Sequence, residues 1–333
     1  GGGGGRDGGH HDNNGDDVPP YAIPGDIHTT LRTLVCVPSC SRRNIDWNAA
    51  VHRIRSTHPE EAAGYTGYQA PILLSCLERR CPLAVIEALV DMDVKMPYHC
   101  DGSGDTALQY LTNGFDVPTQ PQRIRNHFPK LVKKLCEKNP RLAQIANCNG
   151  CLPLHGVGDA ESARILLDAY PEGVMTRSIF GGQIPLHVKS GYFIDVREDA
   201  FLPDGGFLAK DESPPIVRLL VEEGLNQTWS IPVKPTEPLT SDSPMITVPG
   251  WSAKALGGIM VKDRRGDSPF GRICKGINNK LTTDGRVAKI QHDTILHILW
   301  AKLRIFAEAN YAASVYLDHR RGQQRQQQVS RRG

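Results

Sequence analysis

The chain of 333 residues carries 33 Gly and 24 Pro, together about 17% of positions against about 12% in average composition, so irregular connections must be plentiful. Its 39 Lys and Arg nearly balance 36 Asp and Glu, and a formal charge of +3 argues against general polyanion binding. No stretch of about 18 apolar residues occurs and no apolar run follows Gly1 to Gly5, which excludes a membrane span and a secretory signal in the sequence shown. An intracellular protein, cytoplasmic or nuclear, is expected.

Residues 1–26 are rich in Gly and Asp and hold too little apolar content to offset the entropy of ordering, so they read as a disordered lead. Residues 27–46 have no assignment. Nine scattered cysteines, an odd number in a chain too long to need stapling, read as reduced thiols.

From residue 47 onward the informative signal is self-similarity. Gly150-Cys151-Leu152-Pro153-Leu154-His155 returns as Gly182-Gln183-Ile184-Pro185-Leu186-His187, 32 residues later. Weaker copies surround Ala107 and Pro269, and Pro71 begins the earliest, which gives anchors at 71, 107, 153, 185 and 269. Each of the first four anchors follows an amphipathic stretch by a step of 17 or 18: 17 residues from Ile54 to Pro71, then 18 from Leu89, Leu135 and Leu167 to the next three. The best helix has Phe128, Leu131, Val132, Leu135 and Cys136 on one face and Lys130, Lys133, Lys134 and Glu137 on the other. Ser213 followed by Pro214 reads as the start of another, ahead of Ile216, Val217 and Leu220.

Breaks in the spacing locate insertions near 112–127, 191–213 and 226–262. The last is Pro-rich, and loops of that length are functional or disordered; a translated intron is a further reading. The final helical run, through Ile295, Leu299, Leu303 and Phe306, carries Lys302, Arg304 and Glu308 and reads as a closing cap over about 25 residues, from Asp293 to Asp318. Residues 319–333 form a basic Gln- and Arg-rich tail.

These repeats resemble the ankyrin-repeat family, in which a unit of about 33 residues comprises a turn, two antiparallel helices and a hairpin loop. The resemblance covers roughly residues 47–308, and the array with its closing helix is expected to span 47–318. In that family a Gly-x-Thr-Pro-Leu-His string opens the first helix, its Thr and His fixing the corner. Here Pro-Leu-His is complete at Pro153–His155 and Pro185–His187, with Leu152 and Ile184 in place of Thr, while Thr106 is followed by Gln109 in place of His. The resemblance implies corners weaker than the family pattern. It also implies an all-α, ankyrin-like helical-repeat solenoid with hairpin loops and long insertions, which works as a non-catalytic scaffold that binds a protein through its tips and inner face. By position relative to the anchors, the tip candidates are Tyr98, His99, Asp101, Asn147, Asn149, Ser178, Phe180, Arg264 and Arg265.

Cys148 and Cys151 have the spacing of a zinc or redox pair, with His155 four residues on, but Asn149 and Gly150 between them match a turn and a fourth ligand is lacking. His155 and His187 recur at one post of the repeat, which marks architecture above general-base catalysis. No metal or cofactor is therefore expected, and a small-molecule substrate is disfavoured. The basic residues Arg320, Arg321, Arg325, Arg331 and Arg332 lack interleaved aromatics for base stacking, which disfavours nucleic acid. The alternative functions are an enzyme subunit or a nucleic-acid accessory protein acting through the insertions or the tail.

Overall fold

A computed structural model describes residues 47–56, 72–78, 81–92, 100–112, 127–190, 213–234, 237, 240–282 and 289–330. The expected lead, residues 27–46 and most of the insertions near 112–127 and 191–213 lie outside the described residues. What is described is mostly helical, with one two-stranded sheet, so the all-α expectation is corrected at that sheet.

The helices are α1 (Trp47–Ser56), α2 (Ile72–Glu78), α3 (Leu83–Met92), α4 (Ala107–Thr112), α5 (Phe128–Lys138), α6 (Pro153–Gly156), α7 (Ala160–Ala169), α8 (Pro185–Ser190), α9 (Ser213–Asn226), α10 (Pro269–Thr282) and α11 (Lys289–Ser330). Four of the five anchors open a helix, and the fifth, Pro71, lies outside the described residues. Pro suits a first helical position because the amide hydrogen it lacks would have had no partner there. Helices α2, α4, α6, α8 and α10 pack side by side in chain order, and α1, α3, α5, α7, α9 and α11 form a second row.

One stripe of each second-row helix enters the space between the rows. Ile54, Leu89, Leu135, Leu167 and Leu220, which mark the expected spacing, are all buried. On α5 the buried side is Phe128, Leu131, Val132, Leu135 and Cys136, as its periodicity requires. Asn139 ends α5 in an extended conformation and its Oδ1 accepts from Arg141 N at 3.1 Å, which opens a short 3-10 turn at Pro140–Gln144. Asp159 caps α7 by accepting from Ser162 N at 2.7 Å.

The stretch at 226–262 differs most from its reading as a loop. It forms an antiparallel hairpin, β1 (Thr228–Pro232) with β2 (Met245–Pro249), in which Trp229 lies opposite Val248. The Trp229 ring is buried and its indole N–H donates to Gly224 O of α9 at 2.8 Å. Leu256, Ile259 and Val261 follow it into the core. A buried tryptophan with its one donor satisfied anchors the segment, and Pro content alone does not reveal such an anchor.

The last helix is longer than expected, 42 residues or about 63 Å, and begins four residues before Asp293. It runs through the expected tail as far as Ser330. Among the described residues no helix is long and apolar enough to cross a membrane.

Candidate functional site: a ladder of four tips

Ahead of the first-row helices α4, α6, α8 and α10 in the chain lie four tight turns: Asp101–Asp105, Asn147–Cys151, Ser178–Gln183 and Asp263–Asp267. Three share one design. Asp101 Oδ1 accepts from Ser103 N at 2.8 Å and Asp105 N at 2.9 Å. Asn147 Oδ1 accepts from Asn149 N and Cys151 N, both at 3.0 Å. Asp263 Oδ1 accepts from Arg265 N and Asp267 N, both at 2.9 Å. In each, the side-chain oxygen replaces backbone acceptors that so tight a turn cannot supply. Ser178 does this more weakly in a turn one residue longer, its Oγ accepting from Gln183 N at 3.1 Å.

The turns stack through backbone hydrogen bonds. Cys148 N donates to Ser103 O at 2.9 Å, Ile179 N to Asn149 O at 2.8 Å, and Arg264 N to Gly181 O at 3.0 Å. Each turn also needs one residue at positive φ, supplied by Gly104, Gly150, Gly182 and Gly266. At Gly150 a Cβ would stand 2.7 Å from Ile179 N, so glycine there serves the stacking as well as the turn, whereas a Cβ at Gly266 would meet nothing within 4 Å. Asn147 Nδ2 adds a bond to Asp105 Oδ1 at 2.9 Å, and Arg177 Nη1 bonds both Gly182 O and Lys262 O.

The corners tie each helix start to the following tip. His155 Nδ1 accepts from Leu152 N at 3.0 Å, and Nε2 lies 3.1 Å from Gln183 O. His187 repeats this with Ile184 N at 3.3 Å and Asp267 O at 2.9 Å. A carbonyl only accepts, so each neutral ring carries its proton on Nε2. Burial pushes both imidazoles down to about 4, the carbonyl bonds only partly opposing it. With both nitrogens committed, neither histidine is available as a proton acceptor for chemistry.

The tip candidates divide into two kinds. Asp101, Asn147 and Ser178 have their side chains engaged in holding the turns. Asn149, Phe180, Arg264 and Arg265 project outward, with Phe180 75% exposed. Tyr98 and His99 lie outside the described residues. Sequence reasoning missed two members: Ile179, 54% exposed beside Phe180, and Asp263, the buried counterpart of Asp101. The signal for Asp263 is an Asp or Asn three residues before three of the four turn glycines, at Asp101, Asn147 and Asp263. The second oxygen of Asp101 meets Tyr110 OH at 2.8 Å and that of Asp263 meets Arg272 Nη2 at 2.6 Å, both partners standing three residues past their anchors.

Cys148 is exposed and Cys151 half-buried on the second tip, where the turn chemistry located them. Burial raises the Cys151 thiol and pushes that of Cys136 up to about 12; at Cys76 the hydrogen bond with Cys81 does most of the raising and burial adds to it. Raised thiols are poor nucleophiles. Among the described residues no group of three or more His, Cys, Asp or Glu converges as metal ligands would.

Neither a family model, a curated protein nor a solved structure matches this chain.

Proposed function

We propose that the protein is a non-catalytic scaffold built from ankyrin-like repeats, which binds a protein partner along its ladder of tips. The observation that carries this reading is the division of labour within each tip. The Asp, Asn or Ser and the Gly hold the turn, and the residues between them stack the turns through their backbone while side chains such as Asn149, Phe180 and Arg265 face solvent. Side by side these outward residues make a mixed surface, polar at Ser103 and Asn149, apolar at Ile179 and Phe180, and cationic at Arg264 and Arg265. Rigid backbone beneath exposed aromatic and Arg side chains suits recognition, because few conformations are lost on binding.

Two corner histidines with both nitrogens bonded, and the raised thiols of Cys76, Cys136 and Cys151, weigh against an enzyme subunit that would use them as base or nucleophile. For a nucleic-acid accessory protein the tips offer two arginines and one exposed phenylalanine, a thin basis for phosphate tracking and base stacking.

Affinity capture tests the reading with the whole chain and a variant carrying Ile179→Ser, Phe180→Ser, Arg264→Ser and Arg265→Ser. The variant is expected to lose at least one captured protein while its thermal midpoint stays within a few degrees. An unchanged set of captured proteins would set the tip reading aside.

A further inference from the structure

We propose that α11 pairs with α11 of a second copy of this chain, antiparallel, about a two-fold axis at Tyr311. Within its own chain α11 buries Leu299, Lys302, Ile305, Phe306, Ala309 and Ala313. At 100° per residue the side opposite that stripe holds Trp300, Arg304, Ala307, Tyr311, Val315, Asp318 and Gly322, and all seven are exposed.

The spacing of these seven is palindromic. Steps of four, three and four residues lead from Trp300 to Tyr311, and steps of four, three and four lead on to Gly322. An antiparallel copy centred on Tyr311 therefore places Arg304 against Asp318, Ala307 against Val315, Trp300 against Gly322 and Tyr311 against itself. The three pairings off the axis are complementary: opposite charges, a small residue against a branched one, and the largest side chain against the residue with none.

Gly322 supplies a separate argument. Glycine inside a helix is destabilising relative to alanine. A Cβ at Gly322 would meet nothing within 4 Å, so no neighbour in its own chain demands glycine there. The indole of a second copy's Trp300 would.

The helix needs such a partner. From Ser314 to Gln323 no residue is buried; its own chain meets this stretch through Trp251, 5.1 Å from the Tyr316 ring and 5.3 Å beneath Arg320, on the side away from Tyr311, and a helix so lightly packed is marginal. Trp300 and Tyr311 are 56% and 73% exposed, a large apolar area on a helix face that meets only water. A palindromic face fits a copy of itself because an isologous contact requires each residue to meet its own mirror position. The exposed contacts of Arg304 with Glu308 and Asp318 with Arg321 are weak enough to be shared with the opposing chain.

Sedimentation equilibrium of the full chain is the test. At concentrations of order 100 µM, where a micromolar helix-pair contact is saturated, the mass should approach twice the 36.6 kDa of one chain. Arg304→Asp alone and Asp318→Arg alone each set like charges together twice per dimer and should weaken association about tenfold or more. The double variant restores both attractions and should restore the dimer. Tyr311→Glu, which places two carboxylates on the axis, should be monomeric with unchanged helical circular dichroism. A monomeric parent chain, a Tyr311→Glu variant that still dimerises, or a charge swap that fails to rescue would overturn the proposal.

Discussion

Gln109 and His155 occupy the same post in successive repeats and make the same two hydrogen bonds. Gln109 Oε1 accepts from Thr106 N at 2.6 Å and its Nε2 donates to Cys151 O at 2.9 Å; His155 does the equivalent with Leu152 N and Gln183 O. Glutamine thus reproduces the neutral imidazole, one acceptor and one donor a few ångströms apart. The departure from the Pro-Leu-His string at Gln109 changes the residue and keeps the bonds.

This equivalence predicts the outcome of substitution. His155→Gln should fold and lose less than about 1 kcal/mol, because both partners stay satisfied. His155→Ala strands a buried N–H and leaves a void, and should cost about 2 to 4 kcal/mol. Denaturant midpoints of the two variants decide the matter; equal losses would contradict the shared role.

The corners also make stability depend on pH. Burial holds both imidazoles near 4 in the fold, against about 6.5 in the unfolded chain, so the unfolded state binds more protons between those values. The stabilisation is complete above about pH 6.5 and is lost as pH falls through 4, by up to roughly 3 kcal/mol per histidine. Urea titrations from pH 7 to pH 4 should show the loss, and His155→Gln with His187→Gln should remove most of it. A parent chain as stable at pH 4.5 as at pH 7 would contradict the neutral-corner assignment.

Two glycines separate turn strain from stacking. Gly150 and Gly266 both sit at positive φ, and alanine is strained at either. Only at Gly150 does the added Cβ also collide with the neighbouring tip. Gly150→Ala should therefore be the more destabilising by at least about 1 kcal/mol, as read from thermal unfolding. Equal effects would mean that the tips do not depend on close stacking.

The hairpin at 226–262 should behave as core. Trp229→Ala should cost about 3 to 5 kcal/mol, and amides of β1 should exchange slowly together with those of α9. Fast exchange across β1 would return the segment to a loop.

Much of this was legible in the sequence because helix starts and buried stripes are local signals. Pro153 and Pro185 open helices where the repeat placed them, and Leu135 is buried where its period of 3.6 pointed inward. The hairpin was not legible, since Trp229 is identified as core only by the distant turn at Leu256–Gly258 that packs with α9 against it. Asp263 escaped notice for a similar reason. Its role depends on hydrogen bonds to Arg265 and Asp267 and on Arg272 nine residues away, a pattern visible only when three turns are superposed. Ile179 was hidden by the extra residue that lengthens its turn.

The central claim is that corners hold the frame while tips bind, and the most direct measurement sets both kinds of variant side by side. Stability and capture are measured on the four-residue tip variant and on His155→Ala. The tip variant should keep its midpoint and lose a partner, and His155→Ala should lose stability first and binding only as it unfolds. A folded His155→Ala chain that keeps its partners but loses a hydrolytic or transfer activity of the parent would contradict the claim, because that pattern belongs to a catalytic residue.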